Sequence, residues 1–150
     1  METIQDFEDI LFLLAKHRAR YLVVGGMAFI FHAKPRYTKD MDIWVDARPE
    51  NVEKVNAALA EFGSPYFFSQ PAQEDEILQL GVAPDRIDIL LTVTGLDFDV
   101  VWDRRVVGAY GQVEANWIDL YSLIAAKKRL DAPRHQEDVR VLEKVKARLG

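Results

Sequence analysis

Apolar positions recur along the chain in two rhythms, and the rhythms define its elements. Phe7, Ile10, Leu11 and Leu14 fall at helical spacing, which predicts a first helix capped by Thr3, with Asp6 three residues on, and ending near His17. The run 21–24, YLVV, is apolar and β-prone and reads as a strand. Gly25-Gly26 then turns the chain into a short helix over 27–33. Residues 34–39 form a loop, because Pro35 disfavours helix in its predecessor and lacks a donor. The stretch 40–45, DMDIWV, alternates polar and apolar, the period of a second strand. Pro49 at a first helical turn, then Val52, Val55, Leu59 and Phe62, closed by Gly63, mark the next amphipathic helix.

Beyond residue 63 the pattern is less regular. Residues 64–76 hold Pro65, Pro71 and the acidic run Glu74-Asp75-Glu76 and read as irregular, with a short strand around 66–68. Strands follow at 77–82 and 86–93, joined by a tight turn at Ala83-Pro84-Asp85. A short helix is expected over 97–104. A hairpin of 106–110 with 112–116 turns at Gly111, and two closing helices at 118–130 and 137–149 are split by Asp131-Ala132-Pro133. The order predicts an α/β or α+β domain, a mixed β-sheet flanked by helices with a closing C-terminal helix pair. The 150 residues suit one domain, with the core at 20–116 and the terminal helices at 117–150.

Composition narrows the chemistry. The formal net charge is −5, so nucleic-acid binding would have to come from a local basic face. Cysteine is absent, which excludes disulfides, a thiol nucleophile and thiolate metal sites. The first ten residues are acidic and lack the layout of a signal peptide, and no apolar run approaches the length of a membrane span. A cytoplasmic location is the expectation.

The candidate chemistry lies in three aspartates. Residues i and i+2 of a strand share a face, so Asp40 and Asp42 project together while Met41, Ile43 and Val45 enter the core. Two adjacent carboxylates raise each other's pKa unless a cation sits between them, and a metal ion is the simplest such cation. In the later strand Arg86, Asp88 and Leu90 share one face against Ile87, Ile89 and Leu91, so Asp88 is conspicuous in an apolar run. A third carboxylate on a neighbouring strand completes an oxygen set for Mg²⁺ or Mn²⁺, which fills its shell with water and substrate phosphate. Two ions about 4 Å apart clamp the attacking and leaving oxygens of an in-line displacement. Gly25 and Gly26, between strand and helix, let backbone N–H groups approach phosphate oxygens. Each feature also has a structural reading: the solvated face of an edge strand for Asp40 and Asp42, an exposed polar position of an antiparallel strand for Asp88, a plain turn for the glycines, and solvation of the terminal helices, against a phosphate- or RNA-facing patch, for Lys127, Lys128, Arg129, Arg134, Arg140, Lys144, Lys146 and Arg148. His17, His32 and His135 read as surface or packing residues, and Trp44, Trp102 and Trp117 as core or interface.

Taken together, an apolar residue, Gly25, Gly26, a spacer of thirteen residues (27–39), then Asp40, an apolar residue and Asp42 resembles the signature of the nucleotidyltransferase fold shared with DNA polymerase β. The forms VVGGMAFIFH and RYTKDMDIWVD are most similar to small bacterial nucleotidyltransferase-like proteins of the AbiEii abortive-infection toxin group. The resemblance implies that Gly25 and Gly26 hold nucleotide phosphates and that Asp40, Asp42 and Asp88 are the catalytic carboxylates and metal ligands. Arg36 and Thr38 match an Arg and Thr common before the first Asp, and Lys127 or Lys128 matches a Lys in the helix after the sheet. Arg134 and Asp138 match a C-terminal Arg and Asp, although Glu137 stands where a Lys is usual and Val141 where a further Asp often lies.

The implied activity is transfer of a nucleoside monophosphate from an NTP to an acceptor hydroxyl, with Mg²⁺ or Mn²⁺, two ions, as cofactor. Asp88 could also accept the hydroxyl proton, and Lys39 or Lys127 offset phosphate charge. The acceptor stays open among RNA such as a tRNA 3′ end, a protein side chain and a small molecule. A toxin role with a cognate antitoxin rests on family analogy. The rivals are a non-catalytic nucleotide- or partner-binding module on the same fold, an antitoxin-type subunit using an exposed aromatic hairpin around Tyr110 and Trp117, and, lower, a phosphatase or nuclease.

Overall fold

The computed structural model describes residues 3–38, 40–82, 85–130 and 132–149. Lys39, a candidate phosphate ligand, and Ala83, Pro84 and Asp131, placed by the sequence in turns, lie outside the described residues. The elements run α1 (Gln5–Lys16), β1 (Tyr21–Val24), α2 (Gly25–His32), β2 (Asp40–Val45), α3 (Pro49–Phe62), β3 (Ile77–Leu80), β4 (Arg86–Leu90), α4 (Phe98–Asp103), β5 (Val106–Tyr110), β6 (Val113–Trp117), α5 (Leu120–Lys128) and α6 (Pro133–Leu149). The six strands form one mixed sheet in the order β3-β4-β2-β1-β6-β5. β1 and β2 are antiparallel, as are β3 with β4 and β5 with β6, while β2 with β4 and β1 with β6 are parallel. The α+β class and the closing helices are as the sequence predicts.

The stripe on α1 is the reason that helix exists. Phe7, Ile10, Leu11 and Leu14 are fully buried, each contributing about 1.5–3 kcal/mol of apolar burial, and α1 packs against α3 and β6. Thr3 does not cap it. The N-cap is Ile4, and the Thr3 hydroxyl donates instead to Glu8 Oε2 at 3.0 Å. α3 starts and stops where its sequence signals say, with Pro49 in its first turn and Gly63 as its left-handed C-cap. α5 and α6 pack on each other, with Leu142 of α6 fully buried.

Three other expectations fail for identifiable reasons. Around 66–68 there is no strand: the side-chain amide of Asn56 on α3 accepts from Phe68 N at 3.0 Å and donates to Phe68 O at 3.1 Å, doing the pairing a neighbouring strand would do. α6 begins at Pro133 rather than at residue 137, because proline fits a first helical turn and only blocks an interior one. The hairpin aromatics point inward, with Tyr110 and Trp117 buried. Trp117 stacks on Phe31 at 4.3 Å between ring centroids and donates from Nε1 to Gly108 O. That burial removes the exposed surface on which the antitoxin-type reading stood.

Candidate active site

Alternation along β2 buries Met41, Ile43 and Val45 and leaves Asp40 and Asp42 on the opposite face. Parallel pairing with β4 sets Asp42 opposite Asp88 and Asp40 opposite Arg86. One ligand oxygen from each of Asp40, Asp42 and Asp88 lies within 4.8 Å of the others. The three carboxylates named by the sequence therefore converge.

The glycine pair stands directly over one of them. β1 pairs antiparallel with β2 so that Val24 is opposite Asp42, and the chain enters α2 at the next residue. Gly25 has a φ of 65°, and a Cβ there would sit 2.3 Å from Asp42 Oδ2. Only glycine allows both the left-handed backbone and that approach. At Gly26 a Cβ would lie 2.9 Å from Thr38 Oγ1 and 3.9 Å from Arg36 Nη2, which places Arg36 and Thr38 beside the glycines. Both glycines belong to the first turn of α2 rather than to a turn preceding it.

The electrostatics follow from burial and crowding. Burial, with Asp40 and Asp88 as negative neighbours, pushes the Asp42 carboxyl up to about 7, against the opposing pull of Arg86 and Lys127. Burial also raises Asp88, outweighing the guanidinium beside it. Arg86 is the sole cation touching the acid cluster among the described residues: Nη2 lies 2.7 Å from Asp40 Oδ2 and 3.1 Å from Asp88 Oδ2, and Nε lies 3.0 Å from Asp88 Oδ1. Three carboxylates against one guanidinium leave an excess of negative charge that suits a divalent cation, and the donor set, all carboxylate oxygen, is that of a hard ion.

A second charged cluster faces the acids across a cleft of about 750 Å³. Asp138 of α6, buried at 4% exposure, accepts from Arg36 Nη1 at 2.5 Å and from Lys127 Nζ at 3.0 Å. Burial pushes the Asp138 carboxyl up, but the two cations outweigh it and hold it below the usual range. Arg36 stacks on Phe29 of α2, with Cζ 4.1 Å from the ring centroid. Gly25, Gly26, Arg36, Thr38, Asp40, Asp42 and Lys127 all line the cleft; Asp88 and its partner Arg86 do not. His135, expected to be a surface or packing residue, also lines the cleft. Burial and the neighbouring Lys127 and Arg134 push its pKa down.

What the sequence did not single out is Arg86 as a partner of the acids and Asp138 as the residue that holds Arg36 and Lys127. Arg86 was legible as a residue two before Asp88 on the same face. Asp138 became a partner only through the packing of α6 on α5.

Comparison with solved structures shows that this sheet, with its acids on β2 and β4 and a glycine-led helix after β1, has a nucleotidyltransferase-like fold. By sequence, the chain matches no protein-family model and no curated protein. By structure it is similar to the lincosamide antibiotic adenylyltransferase LnuA in its lincomycin-bound form, at TM-score 0.64 and 16% identity over 95% of this chain and 98% of that one. It is also similar to a Thermotoga maritima protein assigned as a nucleotidyltransferase, at TM-score 0.61 and 16% identity over 93% and 89% of the two chains. A third likeness is to ANT(2″)-Ia in complex with adenylyl-2″-tobramycin, at TM-score 0.56 and 13% identity over 94% and 91%.

Proposed function

We propose that this chain is a metal-dependent nucleotidyltransferase that moves a nucleoside monophosphate from an NTP to an acceptor hydroxyl. The observation that carries the reading is the convergence of Asp40, Asp42 and Asp88 within 4.8 Å, directly beneath the close approach of Gly25. Asp40, Asp42 and Asp88 would hold Mg²⁺ or Mn²⁺, which supplies charge neutralisation at the reacting phosphate when bound. The backbone at Gly25 and Gly26 has room for phosphate oxygens because neither residue carries a Cβ. Arg36, Thr38 and Lys127 border the same cleft, and Asp138 keeps both cations aimed along one wall. Lys39 adjoins Asp40 in sequence and is assigned to the same phosphates.

The reaction forms a bond from the acceptor oxygen to the α-phosphorus and breaks the bond to the β-phosphate, releasing pyrophosphate. The hydroxyl proton needs an acceptor. Asp88, with its pKa raised by burial, suits proton uptake better than an ordinary carboxylate does, once Arg86 releases it. The lincomycin and adenylyl-tobramycin complexes of two structural neighbours favour a small-molecule acceptor. An RNA end and a protein side chain are the other acceptor classes, and a toxin role with an antitoxin partner rests on the AbiEii resemblance alone. Among the described residues no helix is long and apolar enough to cross a membrane.

The test is transfer from each α-³²P-labelled NTP, with Mg²⁺ or Mn²⁺, to total RNA, to cell protein and to a panel of hydroxylated antibiotics. The Asp40→Asn/Asp42→Asn variant runs beside it. Metal-dependent label that the variant abolishes is the expected result. No label from any NTP, with a variant that folds like the wild type, overturns transfer to these acceptors. That outcome supports the second reading, a nucleotide- or partner-binding module without catalysis, for which the Arg86 guanidinium on Asp40 and Asp88 is the specific observation.

A further inference from the structure

Arg86 does something that a site waiting for two metal ions does not need. Its guanidinium reaches both oxygens of Asp88 and one of Asp40. No ion pair or hydrogen bond from Arg86 reaches Asp42, whose Oδ2 faces the space under Gly25. The arrangement is set by the sheet: Arg86 is directly across from Asp40 in the parallel register, two residues before Asp88 on the same face. A guanidinium on carboxylates is a fixed, planar, permanently charged counter-ion. A divalent cation arriving from the cleft meets Asp40 and Asp42, which line it, whereas Asp88 and Arg86 do not line it and the place between Asp40 and Asp88 already holds positive charge. A second cation brought to that place meets the positive charge of the guanidinium at close range.

On the reading of the acids as a metal site, we propose that Arg86 is a tethered counter-ion that fills the cation place between Asp40 and Asp88. The free protein then takes one divalent ion, on Asp40 and Asp42, and a second only when Arg86 swings out. The side chain is about one-third exposed, at 35%, so χ rotation can carry the guanidinium out of the acids. A bound triphosphate offers it a new anionic partner.

The experiment is Mn²⁺ binding to the nucleotide-free protein, read by the electron paramagnetic resonance signal of the unbound ion and by titration calorimetry. Wild type, Arg86→Gln, Arg86→Lys and Asp42→Asn are compared, with circular dichroism to check folding. Wild type is expected to bind one Mn²⁺ per chain. Arg86→Gln, which keeps a donor and loses the charge, is expected to bind two, with the first tightened on the order of tenfold or more. Arg86→Lys retains the charge and is expected to keep a single ion; this variant decides the matter if the glutamine protein does not fold, since a second ion in the lysine protein then shows that charge is not what blocks it. Two ions in wild type, or equal counts and affinities in wild type and Arg86→Gln, overturn the proposal, as does Mn²⁺ binding by none of the proteins. The readout is independent of transfer. Equal Mn²⁺ binding with NMP transfer intact sinks only the role of Arg86, and a second ion in Arg86→Gln with no transfer sinks only the enzyme reading.

Discussion

Replacing Asp42 with asparagine should make the metal-free protein more stable, by an amount that grows from about pH 4 and is complete at neutral and alkaline pH. In the unfolded chain the Asp42 carboxyl ionises near its ordinary 3.8, but in the fold burial, Asp40 and Asp88 hold the proton on until about 7. Between those values the folded state binds the extra proton, so stability falls as pH rises and the whole penalty is present above pH 7. A difference of roughly three units at 1.36 kcal/mol per unit is about 4 kcal/mol; because Asp42 keeps partial contact with solvent, about 2–4 kcal/mol is the working range. Asparagine occupies the same volume, carries no charge and can donate to Asp40 or Asp88. In EDTA at pH 8 the Asp42→Asn protein should therefore be about 2–4 kcal/mol more stable in urea, with Tm higher by roughly 5–15 °C, and the gap should close by pH 4. His32 and His135, both pushed below the usual histidine value by burial, contribute the opposite slope, stability rising with pH up to the ordinary histidine value. They are present in both proteins and cancel in the difference. A difference that stays flat from pH 5 to 8, or a wild type that is the more stable at pH 8, would refute the reasoning. Saturating Mg²⁺ should narrow the gap, since it stabilises the ionised wild type by mass action.

Other substitutions probe other joints of the site. Gly25→Ala forces a Cβ to 2.3 Å from Asp42 Oδ2 at a φ of 65°, and should cost roughly 2–4 kcal/mol in urea unfolding and abolish nucleotide binding; a cost below about 1 kcal/mol would mean that the glycine is a plain turn. Asp138→Asn leaves Arg36 and Lys127 without their shared carboxylate, and should cost about 2–4 kcal/mol at pH 7. Because the Asp138 carboxyl is held below its ordinary value, that contribution is complete above the unfolded pKa and is lost as acid titrates the folded group. The gap between wild type and variant should stay constant above the ordinary carboxylate range and narrow only as acid protonates the folded Asp138 carboxyl, and a gap that does not narrow in acid would contradict the ion-pair account. Asn56→Ala removes both hydrogen bonds to the Phe68 backbone and should cost about 1–3 kcal/mol, with new proteolytic cleavage between residues 64 and 76; unchanged protease resistance would show that the loop is held by Phe68 packing alone.

The features legible in the sequence were those that depend on neighbours a few residues apart. The 3.6-residue stripe on α1, the span of α3 between Pro49 and Gly63, the alternation of β2 and the step from Val24 into a glycine pair are local patterns, and each holds in three dimensions. The same locality explains the errors. Nothing within a few residues of Phe68 announces that Asn56 will satisfy its backbone, and nothing near Tyr110 or Trp117 says that α1 and Phe31 will cover them. At the site, the sequence by itself determined which side chains share a face: Asp40 with Asp42 on one strand, Arg86 with Asp88 on another, because side-chain alternation along a strand is covalent geometry. Only the tertiary structure decided that the two strands pair in parallel with Asp42 opposite Asp88, that the guanidinium of Arg86 closes on the acids, and that Asp138 on α6 reaches Arg36 and Lys127. Register and helix docking are settled by burial across the whole sheet, where shifting β4 by one residue would turn Ile87 and Ile89 out of the core, and that condition is written in no single segment of the chain.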